Sequence, residues 1–247
     1  YPLRRQRQMC IRDRNKILSL LYFIEVYFKI RVRNKTSPID VYYENLSLEC
    51  FKFFEKEMKS SSIFIKPKDI RRYAVSQGIK NLTNKEDLFL EFGVFRGESI
   101  NLFANILKKN NLKIYGFDSF EGLEEDWNMN EYNPIGTFSL NKKKPKVLKN
   151  VTLTQGKVQE TLDHFLQVKK GKKVIFAHLD MDTYIPTKFT LLKLKPLLVK
   201  GSIILFDQFY GYPNWQDHEY KAFKEVFKDE EYKFIAFCES EVAIEIL

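Results

Sequence analysis

From residue 87 onward, short and continuously apolar runs alternate with stretches of helical periodicity. The runs are DLFLEFGV (87–94), LKIYGFDSF (112–120), VTLTQG (151–156), KKVIFAHLDMD (172–182) and SIILFDQF (202–209). Helical patterns fill the intervals at 97–111, 158–168, 186–201, closed by Gly201, and 218–230. Apolar runs bounded by turn residues predict strands buried on both faces, and hence a parallel sheet with helices on each side. Two closing runs, 232–240 and 241–247, lie close together and predict an antiparallel pair at a sheet edge. The expected fold class is α/β: a doubly wound, seven-stranded, mostly parallel sheet with an antiparallel last strand and an N-terminal helical extension.

Residues 15–80 read as that extension. LECFKFFEKEMKS (48–60) places Phe51, Phe54 and Met58 on one helical stripe. KPKDIRRYAVSQGI (66–79) opens a helix near Pro67, carries Ile70, Tyr73 and Ala74, and has Gly78 as its expected stop. The apolar segment ILSLLYFIEVYF (17–28) is interrupted by Glu25 and lacks a small-residue cleavage site. It is also far shorter than the ~20 residues that span a bilayer. It is expected to pack on the domain or on a second copy, which suits a homodimer. A membrane-surface helix flanked by Lys29, Arg31 and Arg33 is the alternative.

Composition changes this picture mainly at the N-terminus. Apolar residues make up 44% of the 247 and charged residues 30%, a globular balance, with a formal charge of +9. Part of that charge has another source. RRQRQMCIRD (4–13) is the translation of CGT CGG CAG CGT CAG ATG TGT ATA AGA GAC, a transposase adapter used in sequencing libraries. Residues 1–14 are therefore expected to be adapter read-through, ahead of the extension (15–80) and the main domain (81–247). The ten adapter residues hold four Arg and one Asp, a net +3, so the remainder carries +6. They also hold Cys10, which leaves Cys50 and Cys238, with no CxxC spacing. That usage fits a reducing, cytoplasmic setting. No basic patch interleaved with aromatic residues argues for nucleic acid.

In a doubly wound sheet the ligand lies at the carboxyl ends of the strands. The first such end, EFGVFRGES (91–99), has Gly93 and Gly97 for a tight turn, followed by a helix N-terminus. Its spacing is not GxGxxG, which speaks against a nicotinamide dinucleotide. An ordinary β–α turn reads the same way. The second end carries Asp118, placed to accept hydrogen bonds from a ribose diol or to cap a helix. The fourth and fifth ends carry Asp180, Asp182 and Asp207. Two carboxylates at neighbouring strand ends repel, and a hard divalent cation with oxygen ligands would offset this, Gln208 adding a carbonyl. The alternative is one Asp capping a helix and the other pairing with a lysine.

EFGVFRGESI, YGFDSFEGLEEDW, GTFS, NVTLTQGKVQETL, AHLDMDTYIPTKFTLLKLKPLLVKGSIILFDQF and WQDHEYKAF occur in that order over residues 60–247. Together they resemble the macrocin O-methyltransferase family, a branch of the class I S-adenosylmethionine-dependent methyltransferases with a Rossmann-like fold that includes macrolide-sugar and novobiocin-sugar enzymes. The resemblance implies S-adenosylmethionine as cofactor, Mg²⁺ as an aid, and a sugar-like hydroxylated acceptor. It implies that Glu91, Gly93, Gly97 and Ser99 form the methionine side of the cofactor site, that Asp118 and Ser119 hold the ribose, and that Gln155 and Gly156 lie near the adenine. Asp180 falls in both the cofactor set and the metal set. Asp207 and Gln208 complete the metal set, although the family usually has an acid where Gln208 stands.

Methyl transfer to a hydroxyl needs a base, and Asp182 and His178 are the candidates. The long segment 120–147 suits a lid, with Trp127 and Phe138 closing over a ligand. Lys142, Lys143, Lys144 and Lys146 within it suit an anionic acceptor or a solvated loop. His218 and Glu219 are placed to line an acceptor pocket. The rival readings are a cofactor-binding homologue without catalysis and another nucleotide-dependent enzyme, such as a dehydrogenase, on the same fold.

Overall fold

The computed structural model describes residues 37–129 and 131–247. The expectations for the adapter stretch and for segment 17–28 lie outside the described residues. The chain divides into two units, Tyr1–Asn45 and Leu46–Leu247. The described part of the first unit opens helix α1 (Pro38–Lys59). There Ser37 and Asp40 cap one another: the Ser37 N–H and hydroxyl donate to Asp40 Oδ2, and the Asp40 N–H donates to Ser37 Oγ.

The second unit is built on one large sheet. Its strands are β1 (Ser62–Ile63), β2 (Leu88–Phe92), β3 (Ile114–Asp118), β6 (Val151–Gln155), β7 (Val174–Leu179), β8 (Leu198–Phe206), β9 (Tyr232–Cys238) and β10 (Glu241–Ile246). A separate two-stranded ribbon, β4 (Trp127–Asn128) with β5 (Tyr132–Asn133), lies within the long segment 120–147. The sheet order is β1-β9-β10-β8-β7-β2-β3-β6, and β10 is antiparallel to both of its neighbours. The seven expected strands are present, the last of them antiparallel. The eighth, β1, is two residues long and carries no hydropathic pattern of its own.

Helices α2 (Pro67–Lys80) and α3 (Glu98–Lys108) cover one face of the sheet through Ile70, Ala74, Phe103 and Leu107. Helices α4 (Val158–Val168), α5 (Tyr184–Leu194) and α6 (Glu219–Val226) cover the other, joined by the Cys50 and Phe54 end of α1. The buried stripe of α1 runs through Cys50 and Phe54 with Met58 packed on the same core, as expected for Phe54 and Met58, while Phe51 is 44% exposed and Cys50 takes its place. Cys50 and Cys238 are both free thiols. Among the described residues no helix is long and apolar enough to cross a membrane.

Two expected boundaries differ for physical reasons. Gly78 does not stop α2 but lies inside it, buried against β7, where a Cβ would stand 3.2 Å from the Phe176 Cβ. The helix expected over 186–201 ends at Leu194, ahead of Pro196, and β8 already begins at Leu198. Gly201, with φ +89°, belongs to a register shift between β7 and β8 rather than to a helix cap. Ser202 fastens that irregularity, its hydroxyl donating to the Val174 carbonyl at 2.6 Å and accepting the Val199 N–H at 2.9 Å.

Candidate active site

The chain runs outward from β2 to β3 and β6, then returns to β7 on the other side of β2. This reversal puts a crevice between the carboxyl ends of β2 and β7. The two turns there touch. The Asp180 N–H donates to the Phe92 carbonyl at 2.8 Å, and the Gly93 N–H donates to the Phe117 carbonyl at 3.0 Å. A Cβ on Gly93 would stand 1.7 Å from the Asp180 carbonyl oxygen, and its φ is +85°. Gly93 therefore serves this backbone crossing.

Asp118 locks the same turn. Its Oδ2 accepts the N–H groups of Val94 and Phe95 at 2.8 and 2.7 Å, and its Oδ1 accepts that of Phe120 at 2.6 Å. An ionised carboxylate has about four acceptor positions. Three are occupied, which leaves room for one ligand hydroxyl rather than the two expected.

Over these turns opens a cavity of about 380 Å³, within the range of small-molecule sites. Of the residues expected to bind ligand, Gly93, Asp118, Ser119, Gly156, Asp180, Asp182, Asp207 and Gln208 line it. Trp127 and Phe138 from the long segment also contribute. Glu91, Gly97, Ser99, Gln155 and His178 lie outside its wall. Gln155 instead donates to the Lys142 carbonyl at 2.9 Å, and Gly97 caps α3 in a left-handed conformation.

Period-two alternation explains where Glu91 and His178 went. They are register partners on β2 and β7, and they point to the face covered by α2 and α3. A buried polar row follows. The Ser99 hydroxyl donates to Glu91 Oε1 at 2.7 Å. His178 stands between Glu91 and Asp207, its ring nitrogens 3.7 and 3.6 Å from their oxygens, longer than hydrogen bonds. Arg71 of α2 closes the row, bridging Asp207 at 2.5 Å and Glu241 at 2.7 Å. Burial opposes a charge on His178, but Asp207 and Glu91 outweigh it and raise its pKa to about 9. A base already protonated and fully buried is poorly placed to take a substrate proton. Nothing in the sequence marks Arg71, because it stands in a helix ahead of the first expected strand.

On the cavity side the carboxylates are short of cations. Burial, then repulsion from Asp207 and Asp182, raises Asp180 well above the ordinary range. Burial and Asp207 push Asp182 up to about 7. Glu219 of α6 is fully buried and raised by burial, Asp182 and Asp207, and its Oε2 accepts the Gln208 N–H at 3.0 Å. Asp207 moves the other way: burial would raise it, but His178 and Arg71 hold it below its ordinary value.

Asp180, His178 and Asp207 offer donor atoms within 4.8 Å of one another, the spacing of a metal site. The donors present do not fit Mg²⁺. Asp207 Oδ1 is held by Arg71, and its Oδ2 accepts the Gln208 amide at 3.2 Å. Asp180 and the buried, unpartnered Gln208 Oε1 remain, while the neighbouring carboxylate of Asp207 already carries the Arg71 cation.

Residues 90–209 match a family model described as a methyltransferase domain, so this stretch is a methyltransferase domain. Among solved structures, CalS11, a calicheamicin methyltransferase, aligns with a TM-score of 0.59 at 19% identity, over 87% of this chain and 95% of that one. An apo structure of CalS11, described as a TDP-rhamnose 3'-O-methyltransferase, gives 0.55 at 18% identity over 87% and 98%. The O-methyltransferase NovP gives 0.55 at 19% identity over 72% and 78%. At such identities the likeness is one of fold. No curated protein sequence matches significantly.

Proposed function

We propose that this S-adenosylmethionine-dependent methyltransferase acts on a hydroxyl of a sugar or glycosylated small molecule. The cavity wall carries the reading. It presents five carboxylates, Asp118, Glu124, Asp180, Asp182 and Asp207, against one basic residue, Lys157. Such a wall suits a ligand bearing sulfonium and ammonium charges, and the rings of Phe117, Trp127 and Phe138 suit its nucleoside. In this reading Asp118 accepts one ribose hydroxyl with Ser119 beside it. Gly156 borders the adenine, and Gly93 and Asp180 border the methionine portion. Glu91, Gly97, Ser99 and Gln155 act from behind by holding the turns.

When bound, S-adenosylmethionine supplies an activated methyl, whose bond to sulfur breaks with the electron pair left on sulfur as the bond to the acceptor oxygen forms. The chain's own task is to align the acceptor and remove its proton. Asp182 lines the cavity in a left-handed conformation (φ +62°) and takes that proton. His178, cationic beneath the floor, holds Asp207 in place. No step is assigned to Mg²⁺. A sugar acceptor is supported by the CalS11 description, an enzyme acting on a nucleotide-linked sugar, and the lysines of the long segment, Lys142, Lys143, Lys144 and Lys146, suit an anionic one.

Calorimetry is expected to show S-adenosylmethionine and S-adenosylhomocysteine binding and NAD failing to bind. Binding of neither methyl-cofactor form would sink this reading. Because the ionised form of Asp182 is the active one and its pKa is raised to about 7, methyl transfer is expected to rise with pH through that value. Release of S-adenosylhomocysteine across a panel of nucleotide-linked sugars measures it. Asp182→Asn should lower turnover by about 10²-fold or more and remove the pH-dependent rise.

A further inference from the structure

We infer that Arg71 takes the place of a divalent cation at Asp207, so that this site works without a metal. The inference rests on the cavity proposed above as the methyl-transfer site. Its evidence is the engagement of each donor atom. The Arg71 Nη2 donates to Asp207 Oδ1 at 2.5 Å, and its Nε donates to Glu241 Oε1 at 2.9 Å. A guanidinium suits this bridge because its rigid fork serves two carboxylates at once. The remaining oxygen, Asp207 Oδ2, accepts from Gln208. A dication on Asp207 would therefore sit against a fixed positive charge, and the repulsion is large at such short range.

Gln208 points the same way. An acid at this position would add a second charge for a metal. The amide instead spends its donor on Asp207 and keeps a single neutral oxygen. Arg71 itself does not line the cavity, so its part is to position Asp207 and neutralise it from behind. The side chains of Arg71, Asp207 and Glu241 are 21%, 12% and 3% exposed, which keeps the bridge largely out of water and limits its screening.

The test is Mn²⁺ titration of the full chain, read by electron paramagnetic resonance, with S-adenosylhomocysteine calorimetry on the same samples. The wild-type protein is expected to bind no stoichiometric Mn²⁺. Arg71→Met is expected to bind it at least about tenfold more tightly, because the competing cation is gone. Adding Asp207→Asn should remove that gain. Arg71→Lys, which keeps the charge, should bind Mn²⁺ no better than wild type, a contrast that a merely structural arginine would not produce. If Arg71→Met does not fold, Arg71→Gln, which keeps hydrogen-bond donors and removes the charge, supplies the same test. Stoichiometric, Asp207-dependent Mn²⁺ binding by the wild type overturns the inference, as does the absence of any gain in the folded variants. The calorimetry reads the cofactor site separately, so failure there counts against the proposed function and leaves the Mn²⁺ result standing.

Discussion

Gly93→Ala is expected to leave little folded protein. Two penalties meet at this residue. Its φ of +85° lies in the left-handed region, where a Cβ costs ~1–2 kcal/mol. The new Cβ would also stand 1.7 Å from the Asp180 carbonyl oxygen, a backbone atom that cannot turn away as a side chain would. Relieving that overlap means separating the ends of β2 and β7, whose contact includes the hydrogen bond from the Asp180 N–H to the Phe92 carbonyl. Overpacking of this kind adds ~1–3 kcal/mol, and more where backbone must move. The sum of about 2–5 kcal/mol, before any backbone shift is counted, approaches the whole stability of a modest domain. Gly136→Ala is the control. Its φ is also +85°, but nothing lies within 4 Å of its Cβ, so only the left-handed penalty applies. Urea unfolding of the two variants separates the terms. A Gly93→Ala midpoint as high as that of Gly136→Ala would show that the crossing of the two turns is not as tight as described.

That crossing shows what the sequence could and could not convey. The strands were legible because burial on both faces leaves an unbroken apolar run, as in LFLEF and VIFAHL. The cavity end was legible because the carboxyl ends of such strands form the crevice, and Asp118, Asp180 and Asp182 line the cavity there. Gly93 was legible as a turn glycine, but the residue that crowds it, Asp180, lies across the sheet and 87 positions away. The roles of Glu91 and His178 depended on strand parity, and the register shift near Phe89 and Phe176 hides that parity from simple counting. Arg71 had no local signal at all. Its contacts with Asp207 and Glu241 join segments 136 and 170 residues apart, and only the packing of α2 on the sheet creates them. β1 was illegible for a related reason: two residues pair with β9 because the chain passes there, not because their pattern requires a strand.

Asp118→Ala is expected to cost both stability and cofactor. Three backbone N–H groups, of Val94, Phe95 and Phe120, lose a charged acceptor at once. Hydrogen bonds to charged groups contribute ~1.5–3 kcal/mol each, and water reaching the opened turn recovers part of that. A net loss of about 2–4 kcal/mol follows, visible as a lower melting temperature. Affinity for S-adenosylhomocysteine should fall by about 10²-fold or more, because the turn that forms the cavity floor loosens and a ribose acceptor disappears. These two causes are separable. Only one acceptor position of Asp118 is open, so a cofactor analogue lacking the ribose hydroxyl it receives should bind wild type poorly, while an analogue lacking the other hydroxyl should bind nearly as well as the parent. In Asp118→Ala the first analogue should lose no further affinity, since the partner is already gone. If removing each hydroxyl weakens binding equally in both proteins, Asp118 serves the turn alone and the ribose is held by another group.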